Sequence, residues 1–205
     1  IEGPQCTIGC FVDDTQISHV RTEVVSEIIA LLESNFGKMT VTRGAKHAFL
    51  GMEIEYHGDG TASIHMPSYI QEAINACSGM LLKVDPVSPL LESKRAQTFH
   101  SIVAKLIYVG ARARTDILLA LGFLCSRVSA PTEQDEKKLK RVLEYLRGTM
   151  DMPLQLGADS LNHFMTWVDA SFAVHHDMRS HTGGVISFRR GGIICKSKKQ
   201  NTNTK

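Results

Sequence analysis

Apolar residues recur along this chain in two periods, and the change between them predicts its elements. Near the start, "CTIGCF" and "TQISHV" are short β-prone runs around "VDD", which predicts a hairpin with aspartates at its tip. Over residues 22–36, Val25, Ile28, Ile29, Leu32 and Phe36 fall on one helical face, with Thr22 placed to cap the start and Gly37 after the end. "HAFLGMEIEY" and "TASIHM" read as strands on either side of the turn "HGDG", giving a second hairpin. A short helix, "YIQEAINAC", is expected after Ser68 and before Gly79. Residues 83–97 are polar, carry two prolines and read as a crossing loop. Helical spacing returns over 99–112, 116–129 and 132–147. In the last of these, Leu139, Val142, Leu143 and Leu146 form the apolar stripe, between a Thr132 cap and Gly148. From residue 163 the period becomes that of strands, in "HFMTWVDAS", "TGGVISFRR" and "GGIICKSKK".

This order predicts an α+β protein: a mixed body to about residue 150, a linker near 151–162, and a three-strand unit to the end. With 205 residues, 43% apolar and 21% charged, the composition is that of a globular chain rather than a disordered one. No apolar run approaches the 18 or so residues that a membrane span needs, so no membrane partner is expected. The first residue is Ile1 and no basic-then-apolar leader follows, so the chain reads as a piece of a longer protein. Five scattered cysteines form no CxxC pair, which excludes a disulfide framework or zinc finger and suggests a reducing compartment, cytoplasm or nucleus.

Charge changes the picture more. Residues 1–177 hold 16 basic and 21 acidic side chains, whereas residues 178–205 hold seven basic and no acidic ones. A basic end on an acidic body suits an anionic partner such as nucleic acid, or a solvated tail. The polar face of the 132–147 helix, with Lys137, Lys138, Lys140, Arg141, Glu144 and Arg147, admits the same two readings.

Asp13 and Asp14 are the sharpest candidates for chemistry. Adjacent carboxylates repel unless a cation neutralises them, and hard oxygen ligands suit Mg2+ or Mn2+. The alternative is a polar turn, where aspartate is common in its own right. Asp169 ends the apolar run "FMTWV" beside the small residues Ala170 and Ser171, and reads either as a ligand on a strand or as a turn residue. His175, His176, Asp177 and His181 cluster in sequence, but their spacing matches no zinc pattern.

Taken in order, these pieces resemble the Pol polyprotein of copia-type LTR retrotransposons, over nearly the whole chain. "FVDD" with its flanking strands is similar to the aspartate-pair motif of reverse transcriptases. "FLGMEI" and "IHMPSYIQEAI" resemble the hairpin and helix that follow the palm. "DPVSPL" and the stretch from "FHSIVAKLIYVG" to "LRGT" resemble the segment joining polymerase to ribonuclease H, and "WVDASFAVHHDMRSHTGG" the first strands of ribonuclease H.

The resemblance implies the end of a polymerase palm with its hairpin and helix over 1–82, a helical thumb and connection over 83–150, and an incomplete ribonuclease H-like sheet over 163–205. It implies an RNA-directed DNA polymerase with ribonuclease H in the parent protein, working by two-metal phosphoryl transfer with Mg2+ or Mn2+, the present piece being inactive alone. Asp13 would bind the polymerase metals with Asp14 as a weaker partner, and Phe11 and Val12 would pack near the primer terminus. Leu50 and Gly51 would belong to the hairpin steadying the primer end. Asp169 would be the first ribonuclease H carboxylate, and Lys196, Lys198 and Lys199 would meet the nucleic-acid backbone. The implied partners are an RNA template, a DNA primer, the RNA–DNA hybrid and the rest of the polyprotein, in a cytoplasmic virus-like particle and the nucleus. Two departures stand out. The further polymerase aspartate and the ribonuclease H glutamate are not in the chain, and Ser171 stands where the family often has an acid. Two other readings remain at this level: a non-catalytic nucleic-acid-binding module from a decayed or co-opted element, and an unrelated α+β domain.

Overall fold

The computed structural model describes residues 4–77, 88–175 and 177–201. It is a mixed helix-and-sheet protein whose core is helical. The expected start of the third helix is built in detail: α5 (Glu133–Gly148) opens with a reciprocal capping box, Thr132 accepting from the Asp135 N–H while the Asp135 carboxylate accepts from the Thr132 N–H. Its stripe of Leu139, Leu143 and Leu146 is fully buried, with Val142 packed against the same core. That core is completed by Ile70, Ala73 and Ile74 of α2 (Pro67–Ala76), by Phe99, Ile102, Val103, Leu106 and Val109 of α3 (Ser93–Arg112), and by Leu121 and Leu124 of α4 (Leu118–Cys125). Arg95 of α3 reaches across to Glu133 and the buried Glu136 of α5, tying the two helices at their N-terminal ends.

Several boundaries differ from expectation, each for a local reason. Helix α2 starts one residue before Ser68, because Pro67 occupies the first helical position, where its fixed φ and missing N–H cost nothing. The expected end at Gly79 lies outside the described residues. In α1 (Thr22–Phe36) the capping position is Arg21, so Thr22 is already helical. None of its residues is fully buried and Phe36 is 77% exposed, so the apolar face read over 22–36 is only half covered. Helix α3 begins at Ser93, inside the stretch read as a crossing loop, since "SKRAQ" contains nothing that breaks a helix. The segment expected as helix over 116–129 is a 3-10 turn, Thr115–Ile117, followed by α4, which ends at Cys125.

The sheets regroup what the sequence separated. β1 (Thr7–Phe11) and β2 (Asp14–Ser18) form the expected hairpin. The run "HAFLGMEIEY", read as one strand, is itself a hairpin: β3 (Lys46–Phe49) turns at Leu50-Gly51 into β4 (Met52–Tyr56). β5 (Ala62–His65) then pairs with β4. The stretch 151–162, read as a linker, contains β6 (Leu154–Ala158), which pairs with β5, its leucines alternating as a strand requires. β7 (Met165–Ser171), β8 (His181–Ser187) and β10 (Ile194–Lys199) make the expected C-terminal sheet, in the order β10-β8-β7. The run expected as one strand over 182–190 breaks after Ser187. Arg189, at φ 110°, turns the chain so that β9 (Arg189–Arg190) pairs with β6 in the other sheet, where Arg189 also meets Asp159. No helix of the described residues is long and apolar enough to cross a membrane, and none of the five cysteines is joined in a disulfide.

All seven residues of β7 are exposed and the strand lies at a sheet edge, whereas α3 and α5 carry the buried core. Amide hydrogen exchange should follow that difference. Amides of β7 and β10 are expected to exchange well before those of α3 and α5, and equal protection would show that the C-terminal sheet opens only with the whole molecule.

Candidate nucleic-acid and metal-binding site

The aspartate pair occupies the tip of the β1–β2 hairpin. Phe11 pairs with Asp14, leaving Val12 and Asp13 as a two-residue loop. Such loops need a positive φ at their first residue, and Val12 supplies it at 52°. A β-branched residue in that region is held against its preference, at a cost of order 1–3 kcal/mol, the kind of strain that collects at functional turns. The tip is open: Phe11 is 58% and Val12 85% exposed, and both aspartates are exposed. The hairpin is steadied from the side, where Gln16 donates from Nε2 to the Tyr56 hydroxyl of β4 at 2.9 Å.

Leu50 and Gly51 form the second two-residue turn, with φ of 54° and 72°. Helices clamp it from below. The Tyr108 hydroxyl donates to the Leu50 carbonyl at 2.8 Å, the Tyr69 and Tyr108 rings stack at 5.3 Å, and the Arg112 guanidinium lies 3.6 Å from the centre of the Tyr108 ring. A Cβ on Gly51 would come within 2.5 Å of Tyr69 Cε2, so the close approach itself requires glycine. The resemblance singled out Leu50 and Gly51, but the residue pattern showed neither their turn nor this clamp, because Tyr69, Tyr108 and Arg112 come from two helices far apart in the chain.

Asp169 lies on the edge strand β7, opposite Gly183 of β8, and Gly183 is opposite Ser197 of β10. Residues directly opposite one another in a sheet share a face, so Asp169 and Ser197 point to one side. Lys199 lies two positions along β10 and shares that side, whereas Lys196 and Lys198 point to the other. The three lysines are thus divided between faces. Lys196 and Lys198 are exposed, and Lys199 is held at 2.6 Å by Asp177. Asp169 Oδ1 accepts from the Ala170 N–H at 2.8 Å. The two carboxylate sites stay apart, Asp13 and Asp14 on the two-stranded sheet and Asp169 on the three-stranded one.

Their chemistry suits a hard divalent cation, but no cluster of three or more histidine, cysteine, aspartate or glutamate side chains able to hold a metal occurs among the described residues. Mg2+ is often held by one or two carboxylates, keeping waters and taking substrate phosphates for its remaining ligands. The residues present fit that open mode and not a closed protein cage.

Relatives place this arrangement in a class. The chain is 29% identical over 201 residues to an uncharacterized mitochondrial protein of Arabidopsis thaliana, covering 93% of this chain and 81% of that one. It is 24% identical to a protein named for transposon Ty5-1 of Saccharomyces cerevisiae, over 94% of this chain and 65% of that protein. It is 27% identical to the retrovirus-related Pol polyprotein from transposon RE2 of Arabidopsis thaliana, over 93% of this chain but only 14% of the polyprotein. The resemblance to retrotransposon Pol polyproteins read from the motifs therefore holds, and the match runs along nearly the whole chain. No family model matches, and no solved structure does.

Proposed function

We propose that this chain is a segment of a retrotransposon RNA-directed DNA polymerase joined to ribonuclease H. The observation that carries the reading is the β1–β2 hairpin, with Asp13 in a strained, exposed two-residue turn and Asp14 beside it. In this reading Asp13 and Asp14 hold Mg2+ or Mn2+ at the polymerase site and Asp169 does so at the ribonuclease H site. Such ions, when bound, stabilise the charge that develops on phosphoryl oxygens. The chain's own residues bind and orient. The Leu50-Gly51 turn supports the end of a DNA primer on its RNA template, and Lys196 and Lys198 meet the phosphates of an RNA–DNA hybrid. The rest of a Pol polyprotein supplies the further carboxylates. With only two carboxylates at the hairpin and no third gathered there among the described residues, the chain by itself extends no primer.

Manganese broadening in NMR spectra tests this directly. With an RNA–DNA hybrid present, Mn2+ is expected to broaden amides around Val12–Asp14 and around Asp169, and Asp13→Asn and Asp169→Asn should each remove only its own set. Broadening that ignores both substitutions would overturn the reading. Binding of the hybrid should weaken with salt. Because Lys196 and Lys198 are exposed on one face of β10 while Lys199 points to the other, the slope of log affinity on log salt is expected to be roughly −2. A flat dependence, or unchanged affinity in the double variant Lys196→Ala, Lys198→Ala, would count against those lysines.

A further inference from the structure

One cavity, of about 610 Å3, lies between α4 and the C-terminal sheet. α4 approaches the sheet through Gly122, whose absent Cβ would sit 3.2 Å from the Ser197 carbonyl oxygen of β10 and 3.4 Å from His181 Cε1. Beside that contact the space between them is walled by two kinds of group. On the helix side stand Leu119 and Phe123. On the sheet and loop side stand His175, His181 and Lys199, with Arg127 closing one end from the turn after α4.

These polar groups form a connected set. His175 Nε2 lies 3.1 Å from His181 Nδ1, and His181 Nε2 lies 2.6 Å from Ser197 Oγ. A nitrogen-to-nitrogen hydrogen bond needs one protonated nitrogen and one lone pair, so the two rings together hold at most one positive charge while it lasts. Burial pushes the His175 imidazole below its ordinary value, helped by the positive charge of Lys199 and by His181. The acid lining the cavity, Asp177, is engaged by Lys199 at 2.6 Å and by Arg179 at 3.4 Å. Arg127 is 43% exposed, with its guanidinium 3.9 Å from the Asp135 carboxylate and 5.2 Å from the centre of the Phe123 ring.

Arg127, Lys199 and the two imidazole rings thus line one cavity, whose acid, Asp177, is already paired with Lys199 and Arg179. An anion entering the cavity would meet a planar guanidinium suited to phosphate, an ammonium, and a pair of rings able to take up a proton as it binds. The volume far exceeds what a bare phosphate fills and lies within the range of small-molecule sites. The apolar wall of Leu119, Phe123 and Val174 would face the rest of the ligand.

We propose that this cavity binds the phosphate monoester of a nucleotide, with Arg127, Lys199 and the His175–His181 pair on the phosphate and the apolar wall on the nucleoside. The site does not depend on the polymerase and ribonuclease H reading, and it lies apart from the aspartate hairpin.

The pH dependence follows from the histidines. At alkaline pH His175, held below its ordinary value chiefly by burial, is neutral; the charged groups around it are Lys199 and Arg127 against Asp177, with Asp169 further along the same face of the sheet. On acidification a bound dianion draws a proton onto His175, so binding is tighter at the lower pH. Sulfate, which stays dianionic throughout, separates protonation of the protein from that of the ligand.

The test is titration of the whole chain with inorganic phosphate, sulfate and adenosine monophosphate, followed by the histidine side-chain NMR resonances. Saturable shifts of His175 and His181 are expected with each. Affinity for sulfate should fall about tenfold from about pH 6.5 to about pH 8, and that for phosphate by less, because phosphate gains negative charge over the same range. Adenosine monophosphate should bind more tightly than inorganic phosphate. Arg127→Gln should weaken phosphate about tenfold or more, as loss of a charged hydrogen bond does. His175→Gln, which keeps a hydrogen-bonding group beside His181, should abolish the pH dependence for sulfate. The proposal is overturned if adenosine monophosphate leaves both histidines unmoved, if it binds no better than inorganic phosphate, or if the two variants bind as the wild type does.

Discussion

Replacing Arg114 by alanine is expected to lower the stability of the helical body by about 2–4 kcal/mol, from the lost packing of a buried side chain and the unpaired groups it leaves behind. Arg114 is 1% exposed, between the end of α3 and the 3-10 turn. Its guanidinium makes a bidentate pair with Asp116 at 3.0 and 2.8 Å and donates to the Thr149 carbonyl and hydroxyl at 2.9 and 2.7 Å. Tyr145 of α5 completes the network, its ring 5.3 Å from the guanidinium and its hydroxyl donating to Asp116 at 2.8 Å. One side chain thereby joins α3, the turn before α4 and the C-terminal end of α5. Without it, Asp116 keeps its partial burial and loses its cation, and the Thr149 carbonyl loses a donor.

The same network predicts how that loss changes with pH. Burial pushes the Asp116 carboxyl up, but hydrogen bonds from Arg114 and Tyr145 and the Arg114 charge outweigh it, so the group lies below its ordinary value of 3.8. A carboxyl depressed by folding contributes stability that is complete above its unfolded value and lost as pH falls through its folded one. In Arg114→Ala the burial remains without the cation, so the carboxyl protonates more readily. The stability gap between wild type and variant is therefore expected to be widest near neutrality and to narrow below about pH 4. Urea unfolding at a series of pH values measures it, and a gap that stays constant would show that Asp116 is not the partner that matters.

Gly51→Ala is expected to cost about 2–3 kcal/mol, from an alanine held at positive φ and from displacing Tyr69 out of its stack on Tyr108. The turn has no room to adapt, because its other residue, Leu50, is also at positive φ and its carbonyl is held by the Tyr108 hydroxyl. Tyr108→Phe keeps the stack and removes only that hydrogen bond, so a loss of about 1 kcal/mol is expected. The two variants together separate the strain of the turn from its attachment to the helices. If Gly51→Ala melts with the wild type, the Tyr69 ring moves aside freely and the clamp does not set the position of the turn. In the proposed function this matters beyond stability, since an unclamped turn would hold a primer end less firmly.

Much of this protein is legible in its residue pattern. The aspartate hairpin follows from β-prone runs around "VDD", and α5 with its cap follows from Thr132, Asp135 and the leucine stripe. The C-terminal strands follow from period-2 alternation, and the retrotransposon resemblance follows from short motifs in a fixed order. These are local features, encoded within a few residues of where they act. Even the division of Lys196 and Lys198 from Lys199 is already implied by their parity along a strand.

Tertiary structure decided the rest. Whether "HAFLGMEIEY" is one strand or two depends on Tyr69 and Tyr108 rising from helices to hold Leu50-Gly51 as a turn, and no window along the chain contains all four residues. Whether 151–162 links two units or joins a sheet depends on β5 and β9 offering it edges to pair with. Arg114 looks like a surface residue in "ARART" until Thr149 and Tyr145 close over it. The cavity beside His175 forms only where α4 meets β10, and Gly122 is what lets the helix come that close to Ser197. Each of these results is a long-range pairing of groups, whose energy is realised only when distant segments are brought together. Local preference has no means of registering it.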